Sequence, residues 1–226
     1  MSIVIAVDGT AASGKGTLAR RLAQHFGFAH LDSGALYRLT ALAVLGAGGD
    51  PANEADALKG AQSIDFNLAG GSAIRTDIVG AAASQVAAIP AVRQALFDFQ
   101  RDFLARPPGG SPGAVMDGRD IGTVIAPDAT AKLYVDARPE LRAHRRWLEL
   151  KDMGILRGEA DLLRELNARD AADRSRPISP LVQAPDADLL DTSDLGIDAA
   201  FAAALALVSP KVTRALQGAP RDRQRG

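Results

Sequence analysis

The sequence predicts an α/β fold with a mainly parallel central sheet. Three observations carry that prediction. Short β-rich runs alternate with longer helical patterns, most of the runs are apolar and end in aspartate, and the first run passes through glycines directly into a helix. Apolar strands with little polar alternation suit a parallel sheet covered on both faces. In such sheets ligands bind beyond the carboxyl ends of the strands, where these aspartates gather.

The predicted strands are Ile3–Asp8, Ala29–Asp32, Ala114–Asp117, Lys132–Asp136 and Asp188–Asp191. Helical patterns cover roughly Lys15–Phe26, Ala35–Leu45, Ile78–Ala88, Ala91–Arg106, Pro139–Met153, Ala160–Arg174 and Ile197–Val208. Pro107 to Gly113 reads as a turn into a strand. The whole chain, residues 1–226, reads as one domain with inserts at about 50–106 and 138–176, each a mobile subdomain over the ligand edge. Residues 218–226 are polar and charged and read as a frayed tail.

Composition excludes several function classes. The 226 residues contain no cysteine, which rules out disulfide frameworks, zinc ribbons and thiol catalysis. Only His25, His30 and His144 are present, too scattered for a histidine metal site. A formal net charge of -1 gives no basic field for nucleic acid or anionic lipid, and aromatic residues are scarce for base stacking. Neither a signal peptide nor a bilayer-length apolar run is expected, so the reading is a cytoplasmic protein, expected monomeric, without nucleic-acid or membrane partners.

The segment Gly9, Thr10, Ala11, Ala12, Ser13, Gly14, Lys15, Gly16, Thr17 matches the G-x-x-x-x-G-K core of a phosphate-binding P-loop in its strand–loop–helix setting. Glycines let backbone N–H groups turn onto phosphates, and the helix start adds partial positive charge. Lys15 supplies a point charge for the β and γ phosphates. The usual Ser or Thr after the lysine is Gly16, with Thr17 one place later, which leaves open whether Thr17 binds Mg²⁺ directly. A guanine-reading N-K-x-D motif is missing, against a GTPase-like switch.

The G-K-G-T variant resembles nucleoside monophosphate kinases. LDSGALYR (31–38), AASQVAAIPAVRQAL (82–96), DGRDIGTVIAPDA (117–129), RAHRR (142–146), RDAADRSRPISPL (169–181) and DLLDTS (188–193) resemble bacterial-type cytidylate kinase, in that family's order and over most of the chain. The resemblance implies a three-layer α/β/α P-loop kinase fold, with a helical monophosphate-binding insert and an arginine-rich lid. It also implies ATP and Mg²⁺, with CMP or dCMP as acceptor. Asp120 and Arg93, with Ser84 beside them, would read cytosine: a carboxylate suits its amino group and a guanidinium its acceptors. Ser33 and Asp173 would contact the ribose, though Ser33 also suits a helix N-cap. Arg38, Arg119, Arg169 and Arg176 would clamp phosphate, with Lys15, Arg119, Arg169 and Arg176 catalytic. Arg169, Asp173 and Arg176 fall at i, i+4 and i+7, one helical face. Arg142, Arg145 and Arg146 lie on a helix that either lids ATP or faces water. Asp117 ends a strand where an acid would orient Mg²⁺, together with Thr17. One departure is the short NLAGGSAI segment (67–74), where the family usually carries a longer strand-forming insert.

Overall fold

A computed structural model describes residues 2–218. Five strands, β1 (Ile3–Gly9), β2 (Ala29–Asp32), β3 (Gly113–Gly118), β4 (Ala131–Asp136) and β5 (Asp188–Asp191), form one sheet in the order β2-β3-β1-β4-β5. Every pairing is parallel, from Ile3 opposite Gly113 to Asp136 opposite Asp191. The central strand β1 is apolar because it meets protein on both faces. Ile5 and Val7 join α1 (Lys15–Phe26) and α8 (Ile197–Gly218) in one core, while Ala6 faces a second core with Met116, Ile121 and Leu104 of α5 (Pro90–Ala105). The three-layer α/β/α prediction is therefore met.

Between β2 and β3 lie α2 (Ser33–Gly46), α3 (Glu54–Gln62), α4 (Asp77–Val86) and α5. They close on their own core of Leu36, Ala57, Val79, Val86 and Val92. The short segment after α3 holds only single 3-10 turns at Phe66–Leu68 and Ala73–Arg75, and no strand. Between β4 and β5, α6 (Pro139–Asp152) and α7 (Glu159–Ser175) pair through Ala143, Leu150 and Leu162.

One helix, α3, is missing from the sequence reading, and the ends of two others differ from it, each for a physical reason. α3 has no long apolar stripe, but Asn53 caps it by accepting from the Ala55 and Asp56 N–H groups, and Ala57 seats it on α2. α7 stops at Ser175, since a residue before proline disfavours helical backbone, so Arg176 leaves the helical face predicted for it. α8 runs past Val208 and through Pro210 because Ala200, Ala204, Val208 and Val212 keep one face buried on the sheet. Its span Ile197–Gln217 is long and apolar enough to cross a membrane, with mean hydropathy 1.3, yet that face is spent on the core. Gly218 closes α8, and the remainder of the predicted tail lies outside the described residues.

Candidate active site

The P-loop leaves β1 at Gly9, whose φ of +150° and contact with β4 admit only glycine: a Cβ there would lie 1.9 Å from the Val135 carbonyl oxygen. Gly14, at φ +88°, caps α1 and turns the chain into it. Thr10 donates to Asp136 at 2.6 Å, and Thr192 donates to the Ser13 carbonyl at 3.1 Å, so the loop is fastened to the ends of β4 and β5. Lys15 lies folded back on the Thr10 carbonyl at 3.1 Å. Burial, then the Arg119 charge, lowers its pKa to about 7, against the pull of Asp117 and Asp32.

A cleft of about 870 Å³ opens over this loop. Among the predicted residues it is bordered by Ala11–Thr17, Arg38, Ser84, Asp117, Arg119 and Arg169. Arg169 is the most demanding of these. Burial and then Arg119 lower its pKa to about 10, and its buried Nε has no hydrogen-bond partner. A buried, unmatched guanidinium among other cations is costly unless an anion completes it. Arg38, which donates to the Ile74 carbonyl at 3.4 Å, has its pKa lowered by burial as well, with Arg146 and Arg119 adding to the effect.

Ser33, Arg93, Asp120, Asp173 and Arg176 do not border this cleft, and the charged ones are held in ion pairs. Arg93 and Asp120 form a buried ion pair; Arg93 also donates to the Ala87 carbonyl at 3.1 Å and lies over the Tyr37 ring at 5.4 Å. Asp173 accepts from Arg119 Nε at 2.8 Å and has Arg176 Nη2 at 3.1 Å. Burial would raise its pKa, but these two guanidinium groups more than offset that and hold it below the usual carboxylate range. Ser33 is not the helix cap: Asp32 is, accepting from the Ala35 N–H at 3.1 Å. The Ser33 hydroxyl donates to the Asp117 carbonyl at 2.8 Å, tying β3 to the start of α2.

The five strand-end aspartates divide by task. Asp8 accepts from the Ile121 and Gly122 N–H groups at 2.8 and 2.7 Å, and so fixes the turn that carries Arg119 and Asp120. Burial raises its pKa to about 6 despite those bonds. Asp136 takes Thr10 and Asp191 takes the Ser193 N–H. Only Asp32 and Asp117 border the cleft. Asp117 contacts His30 Nε2 at 2.8 Å, and its Oδ2 lies 3.3 Å from where a Cβ of residue 16 would stand. Gly16 thus leaves room for this carboxylate beside the loop.

The three arginines of α6 part company. Arg146 borders the cleft, 3.8 Å from Asp77 at the start of α4, and Arg157 of the α6–α7 turn also pairs with Asp77 across the cleft mouth. Arg145 donates to Thr192 and the Leu195 carbonyl. Arg142 is buried beneath the P-loop, with Asp170. The sequence reading gives Asp77, Arg157 and Asp170 no role, although Asp170 falls within the 169–181 segment. Asp77 is the one charge of α4, at its first turn, and Arg157 and Asp170 are charges among several in their segments.

A strand–loop–helix P-loop, one loop lysine and arginines converging from α2, the turn after β3, α6 and α7 mark a P-loop phosphotransferase. The family model described as cytidylate kinase matches residues 5–209. The cytidylate kinase of Rhodospirillum rubrum is 50% identical over 209 residues, 92% of this chain and 98% of that protein. That of Rhodopseudomonas palustris strain TIE-1 is 52% identical over 206 residues, 91% of this chain and 95% of its own. The chain belongs to the cytidylate kinase family. Among solved structures, an uncharacterized protein from Eubacterium ventriosum is similar with a TM-score of 0.51 at 14% identity, covering 92% of this chain and 98% of that one, a likeness of fold alone.

Proposed function

We propose that the chain transfers the γ-phosphoryl group of ATP to CMP or dCMP, giving ADP and CDP or dCDP. The observation that carries this reading is the buried Arg93–Asp120 pair, whose Asp120 is on the same turn after β3 as the cleft residue Arg119. A carboxylate and a guanidinium side by side offer an acceptor for cytosine N4–H and donors for N3 and O2. Uracil would turn a carbonyl oxygen towards Asp120. A site left unpaired by the wrong base discriminates by about 10⁴.

In the transfer, the P-loop N–H groups and Lys15 grip the donor phosphates, while Arg38, Arg119, Arg169 and Arg176 gather the acceptor phosphate. The CMP phosphate oxygen attacks the γ-phosphorus in line, and as it is already anionic near neutral pH no general base is needed. The cationic set neutralises charge spreading over the transferred group. Lys15 swings from the Thr10 carbonyl to the phosphates, exchanging a neutral acceptor for a charged one. Ser84 borders the base and Ser33 and Asp173 the sugar. Asp117 and Thr17 are the residues that would hold Mg²⁺. The room left at Gly16 fits this role, and the ion would supply further charge neutralisation at the phosphates. The bridge from Asp77 to Arg146 and Arg157 keeps the cleft mouth narrow, limiting wasteful hydrolysis by water.

The test is direct. Pure protein with ATP and Mg²⁺ receives CMP, dCMP, UMP or AMP in turn, and diphosphate formation is measured. Cytosine nucleotides are expected to dominate; equal rates with UMP would overturn the base assignment.

A further inference from the structure

Arg142 of α6 and Asp170 of α7 are 2% and 1% exposed, and neither borders the cleft. They form an ion pair at 2.5 Å between Nη1 and Oδ2. Both also grip one residue of the P-loop. Arg142 Nη1 donates to the Ala11 carbonyl at 2.9 Å, and Asp170 Oδ1 accepts from the Ala11 N–H at 3.1 Å. Arg142 Nε is anchored in turn on the Ala137 carbonyl at 2.8 Å.

The residue that follows, Ala12, has φ +58°, a left-handed conformation costly for any side chain. Such a conformation persists where surrounding bonds over-determine it. Here the preceding residue, Ala11, is held at both its N–H and its C=O, and Thr192 donates to the Ser13 carbonyl on the other side. A buried ion pair is weak evidence of stabilisation in itself. Its partner at Ala11 suggests another use.

α7 presents Asp170 to the P-loop, while its neighbours Arg169 and Asp173 belong to the acceptor side. One rigid helix therefore touches both halves of the site. We propose that Arg142 and Asp170 are positioning residues that hold Ala11–Ala12 in the phosphate-gripping shape and tie that shape to α7. An acceptor nucleotide that engages Arg169 and Asp173 then tightens the grip on ATP, and by linkage ATP tightens the acceptor equally. This inference rests on the two-substrate reading above.

The experiment is calorimetric titration of a non-hydrolysable ATP analogue, with and without saturating CMP. It compares the wild-type protein, Asp170→Asn, and the double variant Arg142→Met/Asp170→Leu. In the wild type, CMP is expected to tighten the analogue by about fivefold or more. Asp170→Asn should weaken the analogue by about tenfold, leave CMP affinity alone within about threefold, and cut the tightening below about twofold. Replacing a buried pair by apolar residues of similar volume is commonly tolerated, so the double variant remains informative where Asp170→Asn does not fold. It should show the same lost coupling at an unchanged melting temperature. The inference is overturned if the wild type shows no tightening, if a folded variant keeps it, or if analogue and CMP affinities fall in equal proportion. Failure of the transferase reading is separate: it is seen as wild-type protein that makes no CDP.

Discussion

On the function proposed above, the donor and acceptor halves of the site are built in opposite ways. The donor half is one contiguous segment, Gly9–Thr17, whose chemistry is mostly backbone and whose shape is imposed from outside by Asp136, Asp170, Arg142 and Thr192. The proposed acceptor half is assembled from side chains on α2, α4, α5, α7 and the turn after β3; its charged members Arg93, Asp120, Arg119, Asp173 and Arg176 are held in ion pairs with one another, while Arg38, Ser84 and Ser33 donate to backbone carbonyls. The lesson is where each half breaks. A donor loop made of N–H groups breaks where its glycines or its outside fastenings are changed. A pocket made of paired charges leaves a buried partner unmatched whenever one is removed.

The largest expected effect is on the one donor residue that acts through its side chain. Lys15→Met should lower kcat by roughly 10²–10³, the scale of removing a single group that stabilises transition-state charge. CMP binding should be nearly unchanged. A drop in CMP affinity of similar size would show that the halves share the lysine.

Next is Asp120→Ala. Arg93 would be left buried without its carboxylate, which costs about 3–5 kcal/mol, and preference for cytosine over uracil should fall by about 10² or more. Thermal unfolding and paired assays with CMP and UMP check both parts. Equal loss of ATP and CMP binding, with discrimination intact, would make Asp120 a structural residue only.

The smallest effect is a proton count. Free Lys15 has a pKa of about 7, so at pH 8 about nine-tenths of it is neutral. Triphosphate arriving beside it favours the charged form and raises that pKa. ATP binding at pH 8 should therefore take up close to one proton, binding at pH 6 should take up little, and affinity should weaken as pH rises above 7. Titration in buffers of different ionisation enthalpy reads the uptake, which Lys15→Met should abolish.

The same contrast explains what was legible in the sequence. The strands and the P-loop are local patterns, and apolar runs ending before Gly9 or at Asp117 can be placed without knowing their neighbours. Arg93 and Asp120 could be named from motif resemblance, but their mutual pairing is a tertiary fact across 27 positions. Arg142 shows the limit. In a charged helix next to Arg145 and Arg146 it reads like a solvated residue or a lid cation, and only the fold brings it to Ala11 and Asp170. The helix read as Ile197–Val208 errs in the opposite direction, since burial of Val212 carries α8 on through Pro210.

Strand β1 commits consecutive residues to the two halves. Asp8 secures the turn bearing Arg119 and Asp120, and Gly9, pressed on the Val135 carbonyl, starts the donor loop. Between these two duties there is no spare residue. A one-residue insertion or deletion here would turn the Asp8 carboxylate to the opposite face of the sheet and drive a side chain into β4. The spacing of the two reactants is therefore written into the chain as a fixed length, with no slack for evolution to take up.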